Sequence, residues 1–285
     1  MAEEKKLRPE QSQYRPGVED YMDPIPDTKP IAYPKKGKMT NKNVLITGGD
    51  SGIGKAVGLL FAKEGANITF VYLAEHEEAE NTRNEILEFG GKCFYIQADL
   101  SQEDECKKVI DFTMQNFETL DVIINNAGLH WESDSLENIS TDQWIHTFHN
   151  NVSSCFWITK YGLKYMKEGA SIIITTSVTA YRGSDHLIDY ATSKGALVAF
   201  MRSLSENLIK KGIRVNAVAP GPVWTPLIAS TFSKEDVATF GSDKPMGRAA
   251  MPNEIAPSYL FLASQDASFI SGQVIHPNGG EIING

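Results

Sequence analysis

From residue 43 onward the chain alternates short β-rich runs with longer helical segments, and this alternation constrains the fold more than any other feature. The β-rich runs fall at Val44–Thr47, Ile68–Tyr72, Cys93–Gln97, Val122–Asn125, Ser171–Thr175, Arg214–Ala219 and Gln273–His276. Helical patterns lie between most of them, at Ile53–Glu64, Glu77–Phe89, Glu103–Phe117 and Thr141–Lys167. Strands joined through helices run parallel, because each helix carries the chain back across the sheet. The Ser-Ile-Ile-Ile-Thr-Thr run from Ser171 is apolar at successive positions, as a strand covered on both faces must be. The expected fold class is therefore α/β, a single doubly wound parallel sheet of about seven strands with helices on both faces.

Residues 1–42 do not share this pattern. They hold six of the 13 prolines and nine basic against seven acidic residues, which leaves −11 of the net −9 on the remainder. Proline is excluded from helix interiors and central strands. The expected organisation is an extended arm over 1–42 and a catalytic domain over 43–285. The arm is either a disordered leader or is anchored through Tyr14, Tyr21, Met22, Ile25, Ile31 and Tyr33. Trp224–Pro252 has weak strand signals and reads as a lid over a site.

Bulk properties exclude several classes. A net charge of −9 argues against nucleic acid as the main partner. No apolar run approaches the roughly 18 residues of a membrane span, and the opening MAEEKKLRPEQSQ lacks the apolar core of a signal peptide. Cys93, Cys106 and Cys155 are widely spaced, fit no metal-ligand pair, and suit a reduced, cytoplasmic setting. No His or acidic cluster suggests a metal.

The first β-run leads directly into Thr47-Gly48-Gly49-Asp50-Ser51-Gly52-Ile53-Gly54, and a helix follows. Glycines there let the backbone turn tightly against a pyrophosphate, and the helix N-terminus offers free N–H groups and a positive dipole end. A dinucleotide is the implied ligand, although the spacing is T-G-x-x-x-G-x-G rather than G-x-G-x-x-G. Tyr190 and Lys194 stand at i and i+4 on one face of a helical segment. Ser177 comes thirteen residues before Tyr190, just beyond a strand's carboxyl end, where doubly wound sheets bind ligands. Tyr-x-x-x-Lys alone is uninformative; its position after the glycine turn and Ser177 gives it meaning.

These motifs, with Asp99-Leu100, Asn125-Asn126-Ala127-Gly128, Asn151 and Pro220-Gly221, resemble the short-chain dehydrogenase/reductase family in order and spacing over about residues 43–280. The proline-rich leader with Met22-Asp23-Pro24 and the Thr179-Ala180-Tyr181-Arg182-Gly183 stretch are similar to its glucose/ribitol dehydrogenase-like, general-stress-protein branch. The resemblance implies a Rossmann-type fold and an NAD(P)-dependent alcohol–carbonyl oxidoreductase. It implies Tyr190 as acid/base, Lys194 as its cationic partner, and Ser177 as a hydrogen-bond donor to the substrate oxygen. Asn151 is implied as the holder of a proton-relay water; it is preferred over Asn150 because it precedes Val152. A free tyrosine titrates near 10, so a nearby cation is expected to favour the phenolate.

The same resemblance assigns cofactor contacts to Gly48, Asp50, Ser51, Gly52, Ile53, Gly54, Tyr72, Leu73, Asp99, Leu100, Asn126, Ala127, Gly128, Tyr190, Lys194, Pro220, Gly221, Val223 and Thr225. A 2′-phosphate wants Arg or Lys near the glycine turn or the second strand's end, where this chain has Asp50, Ser51 and Glu75. NAD is favoured, with NADP as the alternative. The substrate-facing candidates are His130, Val178, Arg182, His186 and Trp224, joined by Trp131 and Asp185 on the same loops. A polyol, sugar or small carbonyl compound and a homotetramer are implied by the branch and family. The competing readings are a non-catalytic NAD sensor and an epimerase or dehydratase on the same fold.

Overall fold

The computed structural model describes residues 11–12, 22, 26, 28–35 and 37–283. Its contacts divide the chain into two units, Met1–Tyr33 and Pro34–Gly285. The first is described at few positions, and Tyr14, Tyr21 and Ile25 lie outside them. Within the second unit, residues before the first strand already join the core: Met39 is 1% exposed and its N–H donates to Glu64.

Seven strands form the sheet: β1 Asn43–Thr47, β2 Asn67–Tyr72, β3 Cys93–Gln97, β4 Val122–Asn125, β5 Ser171–Thr175, β6 Arg214–Val218 and β7 Val274–Ile275. Every pairing is parallel, in the order β3-β2-β1-β4-β5-β6-β7. The helices are α1 Gly52–Lys63, α2 His76–Leu87, α3 Glu103–Asn116, α4 Thr141–Phe148, α5 Ser154–Gly162, α6 Thr179–Arg182, α7 Ile188–Leu208, α8 Pro226–Thr231, α9 Lys234–Thr239 and α10 Pro252–Ala263. The α/β, Rossmann-like expectation holds, including the strand count.

Successive strand residues point to opposite faces, which sorts the core into two layers. Val44, Ile46, Ile124, Ile173 and Val218 pack on the side of α1, α2 and α10. Leu45, Ile123, Ile172, Ile174 and Val215 pack on the side of α3, α5 and α7. All the strands present their carboxyl ends at one edge. The order turns back between β1 and β4, so a crevice opens there.

One expected element is broken. The helix read as continuous over Thr141–Lys167 contains a wider turn at His149–Ser153, then α5 and a tight turn at Leu163–Tyr165. The wider turn inserts an extra residue per winding. It leaves Asn150 bonded back to His146 while Asn151 is 1% exposed, so adjacent asparagines meet different surroundings.

Candidate active site

A cavity of about 900 Å³ lies along the carboxyl edge of the sheet. Its nucleotide half is built by the β1–α1 turn. Gly48 and Gly52 have φ of 62° and 52°, which an L side chain rarely adopts. A Cβ on Gly54 would stand 1.9 Å from the Gly48 carbonyl oxygen, so the helix can approach the turn only as glycine. Helices α2 and α3 open with acids in their first turns, Glu77 and Glu78, then Glu103, Asp104 and Glu105. Helix α1 has none, and its N-cap residue Ser51 makes no side-chain capping bond. Its first-turn N–H groups thus carry no side-chain cap, and Gly52 and Ile53 line the cavity, which suits a dinucleotide pyrophosphate.

The turn is braced from β4. Thr47 Oγ1 accepts the N–H groups of Asn126 at 2.9 Å and Ala127 at 3.0 Å. The Asn126 amide donates to the carbonyls of Thr47 at 3.2 Å and Gly48 at 3.0 Å. Gly128 is small for a stated reason: a Cβ there would meet Lys194 Nζ at 3.1 Å and Asn151 Oδ1 at 3.3 Å.

The other half of the cavity converges on α7. Lys194 is 2% exposed and donates to the Thr175 carbonyl at 3.0 Å. Its Nζ lies 5.5 Å from the Tyr190 ring centre. No carboxylate pairs with it among the described residues, and burial pushes its pKa down to about 8. Tyr190 is pushed up to about 12 by burial, against the opposing pull of a hydrogen bond with Ser177. Desolvation disfavours the charged form of both groups, so Tyr190 is raised rather than lowered as expected from its lysine neighbour. Tyr190 holds its proton at neutral pH in this state.

Asn151 joins the site to the α4–α5 turn. Its Oδ1 accepts Leu129 N–H at 2.8 Å, and its Nδ2 donates to the Leu129 carbonyl at 2.9 Å and to Ser193 Oγ at 3.0 Å. Asp189, fully buried beside Tyr190, was not among the sequence candidates. Its carboxylate accepts from Tyr190 N–H at 2.8 Å, Thr147 Oγ1 at 2.7 Å and Gln143 Nε2 at 3.1 Å. An acid in the first turn of a helix looks like ordinary dipole compensation in sequence; only the fold shows it tying α7 to α4.

Residues 48–281 match the family model described as enoyl-(acyl carrier protein) reductase. The glucose and ribitol dehydrogenase of Daucus carota is 46% identical, with all of both chains covered. The chloroplastic NADPH-dependent aldehyde reductase 1 of Arabidopsis thaliana is also 46% identical over all of both chains. A Burkholderia cenocepacia short-chain dehydrogenase solved with NADP superposes with TM-score 0.80 at 27% identity, covering 86% of this chain and 99% of that one. The chain belongs to the short-chain dehydrogenase/reductase family.

As a short-chain dehydrogenase/reductase, it is an NAD(P)-dependent oxidoreductase acting on a small molecule. No helix among the described residues is long and apolar enough to cross a membrane. Most of the sequence-selected positions line the one cavity, including Gly48, Asp50, Ser51, Gly52, Ile53, Tyr72, Leu73, Leu100, Ala127, Pro220, Gly221, Val223 and Thr225. Gly54, Asp99, Trp131, Asn151, Asp185 and Trp224 do not line it. Gly54 and Asn151 stand just behind the wall, as described. Asp99 is exposed and accepts Ser101 N–H at 2.9 Å. Trp224 is 44% exposed, and its backbone N–H pairs with Ala250.

At the substrate end the cavity is walled by His130, Val178, Arg182, His186 and the α8–α9 segment with Phe232 and Phe240. Arg182 reaches Glu281 at 3.4 Å, and Glu281 also meets Lys244 at 3.5 Å. This carboxylate from the C-terminal segment clasps the wall after β5 to the segment read as a lid.

Proposed function

We propose that this enzyme interconverts an alcohol and a carbonyl, with Tyr190 moving the proton and a polyol, sugar or small carbonyl compound as substrate. The carrying observation is convergence: Ser177, Tyr190 and Lys194 share one cavity with the uncapped α1 N-terminus. The nicotinamide, when bound, gives or takes the hydride. In reduction Tyr190 donates its phenolic proton to the substrate oxygen as negative charge develops there, and Ser177 holds that oxygen by a hydrogen bond. Burial that keeps Tyr190 protonated suits this direction. Lys194 stabilises the phenolate left behind, and Asn151 lines the route by which a proton returns. Oxidation runs the same path in reverse.

The cofactor contacts are assigned to the glycine turn, Tyr72, Leu73, Asp99, Leu100, Asn126, Ala127, Gly128, Lys194 and the Pro220–Thr225 stretch. NAD is the proposed cofactor, because Asp50 and Glu75 line the nucleotide end and repel a 2′-phosphate. NADP is the second reading, favoured by the names of the Burkholderia structure and the Arabidopsis relative. A homotetramer in the cytoplasm completes the proposal. Exposed Trp144, Ile145 and Phe156 on α4 and α5 offer an apolar face for association, and the three buried free cysteines suit a reducing compartment.

The test is a panel of polyols, sugars and carbonyl compounds with both cofactors, run beside Tyr190→Phe. Wild-type turnover is expected to fall by about a hundredfold or more in the variant. Unchanged turnover in Tyr190→Phe would remove the mechanism, and a tenfold or larger efficiency advantage for NADP would reverse the cofactor assignment.

A further inference from the structure

His130 is placed unlike any other polar group of the cavity wall. It is 6% exposed, follows the Asn126-Ala127-Gly128 turn, and packs edge-on against the Tyr190 ring with centres 5.0 Å apart. On its other side Phe232 lies 5.4 Å away, centre to centre. The imidazole is therefore held between the proton donor and the lid segment. Its Nδ1 is buried with no hydrogen-bond partner among the described residues. Nε2 is not closed off in this way, and it is the nitrogen through which the ring can meet the cavity it lines.

Burial and the Lys194 cation push His130 down to about 4, so the ring is neutral at pH 7. A neutral imidazole carries one N–H. A buried N–H without a partner is rarer and costlier than an unpaired acceptor, which places the proton on Nε2 and leaves Nδ1 as the acceptor. The cavity is thus offered a fixed, uncharged N–H donor beside Tyr190. Asp189 and His186 are the other titratable groups whose fields reach the ring.

The reacting oxygen already has its partners, Tyr190 and Ser177. A donor beside them matches a second oxygen on the substrate. We infer that His130 is a specificity-determining residue whose Nε2–H binds a hydroxyl oxygen next to the reacting carbon, so that the preferred substrates are hydroxy-carbonyls and their polyol products rather than monofunctional carbonyls. The polar side chains of Glu132, Asn150 and Asp236 line the same cavity and suit a polyhydroxylated molecule. A site built to bond such a hydroxyl discriminates strongly against the analogue that lacks it, because the buried donor is then left unpaired.

This inference rests on the proposed alcohol–carbonyl chemistry and can be separated from it. The experiment compares glyceraldehyde with propanal, which have the same chain length, as substrates of the full chain with reduced NAD and NADP. Wild type is expected to favour glyceraldehyde by about tenfold or more in kcat/KM. In His130→Phe that preference should fall to about twofold, through a larger loss on glyceraldehyde than on propanal. His130→Gln, which restores an N–H, should recover part of it. Fluorescence of bound reduced cofactor, unaltered in the variants, checks that the site is intact. Equal wild-type efficiency on the two aldehydes overturns the inference without any variant, and so does an equal loss on both in His130→Phe. Propanal turnover alone leaves the chemistry standing and removes the role of His130; no turnover of either aldehyde removes both.

Discussion

Lys194 and Arg214 are both buried cations, and they stand at opposite edges of the same sheet. Lys194 bonds to Thr175 at the carboxyl end of β5. Arg214 opens β6, in register with Ser171 at the amino end of β5. Arg214 is 7% exposed, and its guanidinium donates to the carbonyls of Leu262 at 2.6 Å, Ala263 at 3.2 Å and Ser264 at 3.1 Å. Those carbonyls close α10, where a helix leaves acceptors unpaired and its dipole end is negative. The arginine therefore answers a need of the fold. Lys194 has one carbonyl as its hydrogen-bond partner at the wall of the cavity, and burial lowers its pKa to about 8. A cation held at that cost, with so little in return, is positioned for a ligand. The amino edge stores stability and the carboxyl edge stores reactivity.

The largest expected effect is kinetic. Lys194→Met should lower turnover by about a thousandfold, because the phenolate of Tyr190 loses its counter-charge; single-turnover reduction of a competent carbonyl measures this. Retained turnover would end the division between the edges. Gly54→Ala comes next. Its Cβ would collide with the Gly48 carbonyl, and cofactor affinity should weaken about a hundredfold, as read by fluorescence titration.

Arg214→Met should leave kcat/KM of the folded enzyme within about twofold while lowering stability by about 2–3 kcal/mol, since three helix-terminal carbonyls lose their donor. Chemical denaturation followed by circular dichroism gives the value, and a kinetic defect instead would blur the contrast. A smaller effect is expected from pH. Lys194 is charged below about pH 8 and loses its proton above it, so kcat/KM for reduction should decline as pH rises through that value. Lys194→Arg, charged to much higher pH, should move the decline upward. The same shift has a stability consequence. Between about 8 and 10.5 the unfolded chain binds the proton that the folded chain has released, so stability rises with pH across that window. Trp224→Ala should be the mildest change, altering KM by less than about twofold, because the ring stands off the cavity.

The two edges also differed in how much of them was legible in sequence. Continuous apolar runs marked the central strands, because burial on both faces leaves that signature, whereas the part-buried edge strands β3 and β7 were legible only as short β-rich runs. The glycine turn, Ser177 and the Tyr190–Lys194 pair were legible through spacing along the chain. Interactions between distant segments were not. Asp189 gives no sign in sequence that Gln143 and Thr147 will reach it, since they stand 46 and 42 residues away and meet it only when α4 packs on α7. Nor does Tyr-x-x-x-Lys reveal that desolvation raises Tyr190 and lowers Lys194; that depends on how the fold surrounds the pair. Trp224 was chosen for its place after a strand, and the bridge between Val223 and Ala250 fixes its backbone where the ring stays exposed.

The thermal melting of Lys194→Met beside wild type and Arg214→Met at pH 7 tests the central claim most directly. A melting temperature equal to or above that of wild type is predicted, because removing a buried, poorly paired cation relieves desolvation. A fall as large as that of Arg214→Met would contradict the account, since Lys194 would then be holding the fold together rather than waiting for a ligand.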